Sequence, residues 1–319
     1  MTHGPGAAYH EELDPGLRAA VVVPFLAGGR VALGRDGELP AGVAAAGEHW
    51  ALAATRAARE LVGGSVRTLH PFLVRGERVI AWADVVLDGD RFDPGAGVEV
   101  DAAGPLAALA ARERARLTDD AWFRDVRILL ETHYLAADDP YAQSGKSGGA
   151  ASWEVARGFV VEALNRDGTF LDVGCANGQL MASVADWARD RRGLVIEPYG
   201  LDISPRLAEL ARRRLPRWAD RIWAGNAWDW EPPRRFDFVH AMPDLVPDHL
   251  RARWLDRLRR RFLEPGGRLI LRCGDPYPGD PDQRTLPVLL AEAGVTPDGE
   301  LVRERPGLPA QRAAWLEAP

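Results

Sequence analysis

Residues 169–180 read TFLDVGCANGQL, and this stretch decides the fold of the C-terminal half. Its apolar start predicts a buried strand that ends at Asp172. Gly174 and Gly178 follow before a run that predicts a helix. Because glycine has no Cβ, the chain can turn sharply there and a ligand can lie against the backbone. The first helical turn offers N–H groups without helical partners, so the stretch predicts a ligand-binding turn.

Strands and helices alternate from residue 151 to the end of the chain. The predicted strands include YGLDIS (199–204), FDFVHAM (236–242) and GRLILRC (267–273), and helical patterns separate them. This alternation predicts a parallel sheet covered by helices on both faces. We therefore expect three parts, which are an N-terminal α+β domain at 1–116, a helix with a linker or active-site cover at 117–150, and an α/β domain at 151–319.

Two other glycine patterns are excluded by single residues. The dinucleotide fingerprint needs a third glycine where Gln179 stands. The Gly-Lys-Ser at 145–147 lacks the earlier glycine of a P-loop, because Pro140 occupies that place. Neither a nicotinamide enzyme nor a P-loop nucleotidase is therefore expected.

The stretch 169–180 resembles motif I of class I S-adenosylmethionine (SAM)-dependent methyltransferases, with Ala176 in place of the usual middle glycine. The resemblance covers about 140–319. It implies a Rossmann-like, parallel, seven-stranded methyltransferase sheet and SAM as the cofactor. In this family an acid at the end of the second strand holds the ribose hydroxyls, and Asp202 stands there. A carboxylate suits that role because it accepts two hydroxyl hydrogen bonds at once.

Two further segments continue the resemblance in order. GNAWDW (225–230) is similar to the turn that contacts adenine, with Asn226 where the family usually has Asp. LEPGGRLIL (263–271) is similar to the turn into the fifth strand. The candidate cofactor-binding residues are Tyr141, Asp172, Gly174, Cys175, Ala176, Gly178, Asp202, Ile203, Asn226 and Ala227.

We expect the methyl acceptor to bind at the carboxyl edge of the sheet, at the end of the predicted strand FDFVHAM (236–242). Methyl transfer needs a base only if the acceptor must lose a proton, and His240, Asp244 and His249 are the candidates. A structural role stays open for each, because His240 can be a buried strand residue and Asp244 can cap the next helix. No metal site is expected.

The stretch 38–64, ELPAGVAAAGEHWALAATRAARELVGG, resembles the Nudix box. The residues that align with it are Gly42, Glu48, Arg56, Glu60 and Gly63. Two metal-binding glutamates of the box are replaced, by Ala57 and Leu61. Because clustered oxygen ligands hold magnesium, a single remaining helix carboxylate is a poor cage. We expect a degenerate Nudix-like domain that does not hydrolyse diphosphates.

Composition indicates which kinds of partner and which cellular compartment to expect. The net charge is −6, which disfavours nucleic acid as a partner, although arginines cluster at 211–221 and 251–262. Those runs predict amphipathic helices with solvated arginine faces, or alternatively a phosphate-binding patch. Only two cysteines, Cys175 and Cys273, occur, and the N-terminus lacks secretory features, so we expect a cytoplasmic protein without a membrane span.

The sequence thus predicts a SAM-dependent methyltransferase acting on a small molecule held under a cover formed by residues 138–150. Two alternatives stay open. One is a Nudix-type diphosphate hydrolase whose C-terminal half binds SAM, and the other is a non-catalytic SAM-binding protein. The oligomeric state is not predicted.

Overall fold

The computed structural model describes residues 17–26, 29–86, 97–273, 285–305 and 308–319. They fall into two compact units, one up to residue 132 and one from residue 133 onward. Among the helices of these described ranges, none is long and apolar enough to span a bilayer.

The first unit contains a mixed four-stranded sheet and three helices. Its elements are β1 (Ala19–Phe25), β2 (Ala41–Val43), α1 (Trp50–Val62), β3 (Ser65–Arg75), β4 (Arg78–Val86), α2 (Pro105–Arg114) and α3 (Asp119–Leu135), whose last residues belong to the second unit. The strand order is β2-β1-β4-β3, with β1 parallel to β4 and the other neighbours antiparallel. The α+β class expected for this part is present.

Helix α1 packs its alanine-rich face into the core of this unit. It begins after His49, whose Nδ1 accepts the Ala51 N–H at 3.2 Å, and it ends at Gly63 in the left-handed conformation. Ala54 and Ala58 are buried with Trp50. Small side chains let the helix backbone approach the sheet closely, which explains the alanine content.

The segment around Val31 does not form a strand of this sheet. Val31 makes only isolated bridges, to Phe25 and to Val98. Its side chain is nevertheless buried.

The second unit contains a seven-stranded sheet. Its strands are β5 (Gly168–Val173), β6 (Ile196–Asp202), β7 (Ile222–Ala224), β8 (Phe236–Ala241), β9 (Leu263–Arg272), β10 (Gly299–Arg305) and β11 (Leu308–Glu317). Its helices are α4 (Gly149–Arg157), α5 (Gln179–Arg192), α6 (Pro205–Arg214), α7 (Arg251–Arg257) and α8 (Leu286–Glu292), with shorter 3-10 or π turns at 142–144, 158–163, 216–221, 248–250 and 258–262.

The order of this sheet is β10-β11-β9-β8-β5-β6-β7. Strands β5 to β9 run parallel, and β11 is antiparallel to both β9 and β10. The chain proceeds outward from β5 through β6 to β7 and then returns to place β8 on the other side of β5. Such a reversal leaves a crevice at the carboxyl ends of the strands, where ligands bind in open α/β sheets. The predicted α/β, Rossmann-like, mostly parallel sheet of seven strands is confirmed.

The two arginine runs differ from the expected pair of solvated helices. The first run is divided between the end of α6 and the separate 3-10 turn at 216–221, because Pro216 ends the helix. In the second run the side chain of Arg251 is only 1% exposed. Its Nε donates to the Pro243 carbonyl at 3.0 Å, and it pairs with Asp248 and Glu292. One arginine of this run therefore stabilises the core.

Candidate functional site

The glycine-rich turn begins directly after β5 and closes onto the neighbouring strand β6. Gly174 and Gly178 have φ values of 81° and 76°, and Ala176 has the left-handed value of 47°. The Gly174 and Cys175 N–H groups both donate to the Leu201 carbonyl, at 2.8 and 3.1 Å. A Cβ on Gly174 would approach Leu245 to 3.3 Å, and one on Gly178 would collide with Leu215 at 2.6 Å. Both glycines are therefore required for conformation and space.

Asp202 lies at the end of β6 and is buried against this turn. Its Oδ2 accepts the Ala176 N–H at 2.8 Å, and its Oδ1 accepts the Ser204 N–H at 2.8 Å. These bonds fix the orientation of the carboxylate. Since a carboxylate offers roughly four acceptor positions, it can also accept ribose hydroxyls.

The turn after β7 lies beside the same acid. The Gly225 N–H donates to the Asp202 carbonyl at 2.9 Å. The Asn226 side chain then accepts the Trp228 N–H at 3.0 Å, which stabilises the turn, and Ala227 is nearly buried. The structure thus brings together three segments that the sequence singled out separately, at 172–178, 202–204 and 225–228.

Cys175 is buried with Met181 and Ile222 in a small apolar cluster. Burial, and after it the charges of Asp202 and Asp172, raise the pKa of its thiol well above the usual range. A thiol held neutral is a poor nucleophile, so Cys175 fills space beneath the turn.

Asp172 and His240 form a buried pair at the ends of adjacent strands. Asp172 is opposite His240 in the register of β5 and β8, and His240 Nδ1 lies 2.8 Å from Asp172 Oδ1. Both side chains are 4% exposed. Burial lowers the pKa of His240 despite the opposing effect of Asp172. The other two candidate bases, Asp244 and His249, are exposed on the segment after β8.

Asn177, which the sequence analysis did not single out, ties residues 140–144 to the glycine turn. Its Nδ2 donates to the Pro140 carbonyl at 2.8 Å and to Gln143 Oε1 at 3.1 Å. Its Oδ1 accepts hydrogen bonds from Ser144 Oγ and from the Gln179 N–H. The Asn177 side chain is fully buried, although its partners are only partly so. An asparagine inside a glycine-rich turn was the signal that the sequence offered, but its partners at 140–144 lie over 30 residues away.

Tyr141 and Tyr134 bring aromatic rings to the same unit. The Tyr141 ring packs against Trp153, with centroids 5.9 Å apart. Tyr134 is a second residue that the sequence analysis did not single out. Its hydroxyl lies close to Gly145, because a Cβ built on Gly145 would be 2.6 Å from the hydroxyl oxygen. Burial, followed by the charge of Asp202, raises the pKa of Tyr134 to about 12, so its phenol stays protonated at neutral pH.

These residues fit SAM. The turn at 174–178 forms a cradle for a ligand, and a side chain larger than that of Ala176 would fill it. The turn lies directly before the N-terminus of α5, a helix of 14 residues. The buried carboxylate of Asp202 suits a ribose, and the turn at Asn226 lies next to it. The donor set thus fits a nucleoside attached to a charged tail.

Residues 170–267 match the family model described as a methyltransferase domain. This segment runs from β5 into β9 and contains the glycine turn, Asp202 and His240. The glycine turn, Asp202 and His240 therefore lie within a segment that matches a methyltransferase domain.

One curated relative and several solved structures are similar to this chain. A trans-aconitate 2-methyltransferase of Methylobacterium radiotolerans is 36% identical over 123 residues, which cover 38% of this chain and 43% of that protein. The chain thus spans less than half the length of that curated relative. The 1,6-didemethyltoxoflavin-N1-methyltransferase of Burkholderia thailandensis has a TM-score of 0.45 at 17% identity, over 63% of this chain and 91% of that chain. The amino pentose methyltransferase CalS10 of Micromonospora echinaspora has a TM-score of 0.32 at 26% identity, over 42% of this chain and 53% of that chain.

Proposed function

We propose that this protein is a SAM-dependent methyltransferase that acts on a small-molecule acceptor. One observation carries the proposal. Within the segment that matches a methyltransferase domain, Asp202 is hydrogen-bonded to the glycine-rich turn at the point where the strand order reverses. That arrangement supports a site at the carboxyl edge of the sheet in which Asp202 binds the ribose beside a ligand-binding turn.

The cofactor is held by the turn, by the ends of β5 and β6 and by the segment after β7. Asp202 binds the ribose, the turn at Asn226 and Ala227 binds the adenine, and Tyr141 lies with the cover. The full proposed set is Tyr141, Asp172, Gly174, Cys175, Ala176, Gly178, Asp202, Ile203, Asn226 and Ala227, where Cys175 contributes backbone only.

When bound, SAM supplies an electrophilic methyl group. The protein holds the acceptor in line with it in a site from which water is excluded, and such positioning can supply much of the rate. Residues 138–150 form the cover, and Asn177 fixes the part at 140–144 beside the turn. Candidate bases for an acceptor that loses a proton are His240, Asp244 and His249.

The acceptor is a small molecule, and nucleic acid is disfavoured by the net charge of −6. The name of the curated relative states an acceptor for that protein. For this chain we propose the class of acceptor only. We also propose that the protein acts in the cytoplasm.

Cofactor binding is tested with Asp202→Asn, which keeps one side-chain acceptor for the backbone. By calorimetry we expect the binding free energy of SAM to weaken by about 1–3 kcal/mol, which corresponds to a roughly five- to 150-fold loss of affinity. Asp190→Asn, a change of the same kind at a 61% exposed side chain in α5, serves as the control and should leave affinity unchanged. Equal affinities for all three proteins would remove Asp202 from the site.

Catalysis is tested by incubating the protein with SAM and a size-filtered metabolite extract. We expect S-adenosylhomocysteine to form only when protein and extract are both present. SAM binding without any S-adenosylhomocysteine would instead support the non-catalytic alternative.

We propose further that the N-terminal domain, residues 1–116, is Nudix-like and has lost hydrolysis. Two contacts support the resemblance. A Cβ on Gly42 would collide with the Ala53 carbonyl at 2.3 Å, and Arg56 Nη1 lies 2.6 Å from Glu48 Oε1. Ala57, which replaces a metal-binding glutamate, is buried. We assign residues 117–150 to a helix followed by the cover, and residues 151–319 to the methyltransferase domain.

A further inference from the structure

The Asp172–His240 pair has a feature that cofactor binding does not explain. His240 Nε2 is buried and has no hydrogen-bond partner among the described residues, although Nδ1 is held by Asp172. A buried polar atom without a partner destabilises the folded state, because it has lost its hydrogen bonds to water. Such an atom in a native fold calls for an explanation, and a catalytic role is one of the recognised ones.

The geometry of the ring shows where that nitrogen faces. The two nitrogens lie on opposite sides of an imidazole, so Nε2 faces away from Asp172 and β5. The other neighbour of β8 is β9. The ring lies nearly parallel to that of Phe170, at 16° and with centroids 6.2 Å apart. His240 itself lies near the carboxyl end of β8, the edge where ligands of such sheets bind.

We propose that His240 is the general base of the methyl transfer, with Asp172 as its positioning residue, and that the acceptor is therefore a hydroxyl or amine that loses a proton. This inference rests on the proposed function. Asp172 Oδ1 accepts the Nδ1–H, and this leaves the lone pair on Nε2. The pair thus repeats the arrangement in which a carboxylate selects the tautomer of a catalytic imidazole.

The reaction balances without further reagents. The oxygen or nitrogen of the acceptor bonds to the methyl carbon while the carbon–sulfur bond breaks. Its proton moves to Nε2, and S-adenosylhomocysteine and a methylated neutral product are formed. The imidazolium then returns the proton to solvent. An acceptor that is already an anion, such as a carboxylate, would need no such base.

Burial is the main reason why the neutral form of the ring is favoured. Burial lowers the pKa of His240, and the positive charges of Arg272, at the end of β9, and Arg157, in α4, lower it further. Asp172 opposes this shift but does not reverse it. Nε2 is therefore able to accept a proton at neutral pH.

The first test needs no acceptor. Nitrogen NMR of protein labelled in its histidines, without ligands, should show the proton of His240 on Nδ1 at neutral pH. The signals of His240 are identified by their absence from the spectrum of His240→Asn. A proton on Nε2 would overturn the proposal, because no lone pair would then be available.

The second test measures S-adenosylhomocysteine formed from SAM and the size-filtered extract. His240→Asn keeps a group near the Nδ1 position for Asp172 but removes Nε2. We expect its rate to fall by roughly 10²- to 10⁴-fold, with SAM affinity within about twofold of wild type. The wild-type rate should also fall on the acid side, with a midpoint below pH 6.5, the ordinary histidine value. His49→Asn, the same change in the first unit, should leave the rate unchanged.

The outcomes separate this inference from the proposed function. If wild type forms S-adenosylhomocysteine and His240→Asn does so within about threefold, the base assignment fails while the proposed function stands. If wild type forms none with any extract although SAM binds, the proposed function fails and the base assignment fails with it. If His240→Asn does not fold, the base assignment is tested on wild type alone, by the position of the His240 proton in the NMR spectrum and by the pH profile of the rate.

Discussion

His240 has a consequence for stability that is separate from catalysis. Its pKa in the folded protein lies below 6.5, so folding favours the neutral ring. The contribution is complete above pH 6.5 and is lost as the pH falls through the folded-state pKa, because the unfolded chain then binds a proton that the folded chain resists.

We therefore expect the melting temperature of the second unit to decline between pH 6.5 and pH 5 more steeply in wild type than in His240→Asn. Calorimetry across this range, without ligands, provides the measurement. Parallel declines in the two proteins would mean that the buried ring does not resist protonation.

At the scale of elements, residues 140–144 depend on one side chain. The short 3-10 turn at 142–144 buries none of its residues, so its own packing contributes little. Asn177 supplies hydrogen bonds to Pro140, Gln143 and Ser144 from a fully buried position. The position of residues 140–144 beside the glycine turn thus depends on these hydrogen bonds as well as on the packing of Tyr141 against Trp153.

Asn177→Ala should release this segment. It leaves the Pro140 carbonyl without its donor, and we expect a loss of about 1–3 kcal/mol and faster proteolysis within 138–150. In wild type, SAM should slow the same cleavage. Ser144→Ala, which removes only one of the bonds, should have a smaller effect, and equal cleavage of all three proteins would leave 138–150 as a plain linker.

Arg251 provides a second prediction at this scale, because it links α7 to the segment after β8 and to α8. Replacing it with Met removes the donor to the Pro243 carbonyl and the pair with Glu292. We expect roughly 2–4 kcal/mol of destabilisation by urea unfolding. Arg260→Met, at a 62% exposed arginine paired with Asp256, should cost less than about 1 kcal/mol. Similar losses for the two variants would contradict the role given to Arg251.

For the whole molecule, we expect no useful hydrolysis of nucleoside diphosphate derivatives by the N-terminal domain. Ala57 is buried and Leu61 packs against the core, so two of the positions that carry metal ligands in active Nudix hydrolases are apolar here, and Glu60 is the helix carboxylate that remains. Phosphate release from nucleotide sugars and dinucleotides, measured with magnesium, tests this. Robust turnover that Glu60→Gln abolishes would favour the hydrolase alternative.

Local patterns were sufficient to predict much of this molecule. The strand–turn–helix at 169–180 and the acid at the end of β6 depend on neighbouring residues only, and the structure contains both. The fates of Asn177, Tyr134 and Arg251 depend on segments far away in sequence, and composition indicated the opposite for Arg251. That His240 pairs with Asp172 could likewise not be predicted, because the pairing depends on the register of β5 and β8.

The central claim is methyl transfer to a small molecule, and one measurement tests it most directly. SAM with an isotopically labelled methyl group is incubated with the protein and with small-molecule, protein and nucleic-acid fractions of an extract, and each fraction is examined by mass spectrometry. We predict a labelled methyl group on a component of the small-molecule fraction, and much less of it with Asp202→Asn. Label confined to the protein or nucleic-acid fraction, or label in none of them while SAM is bound, would contradict the claim.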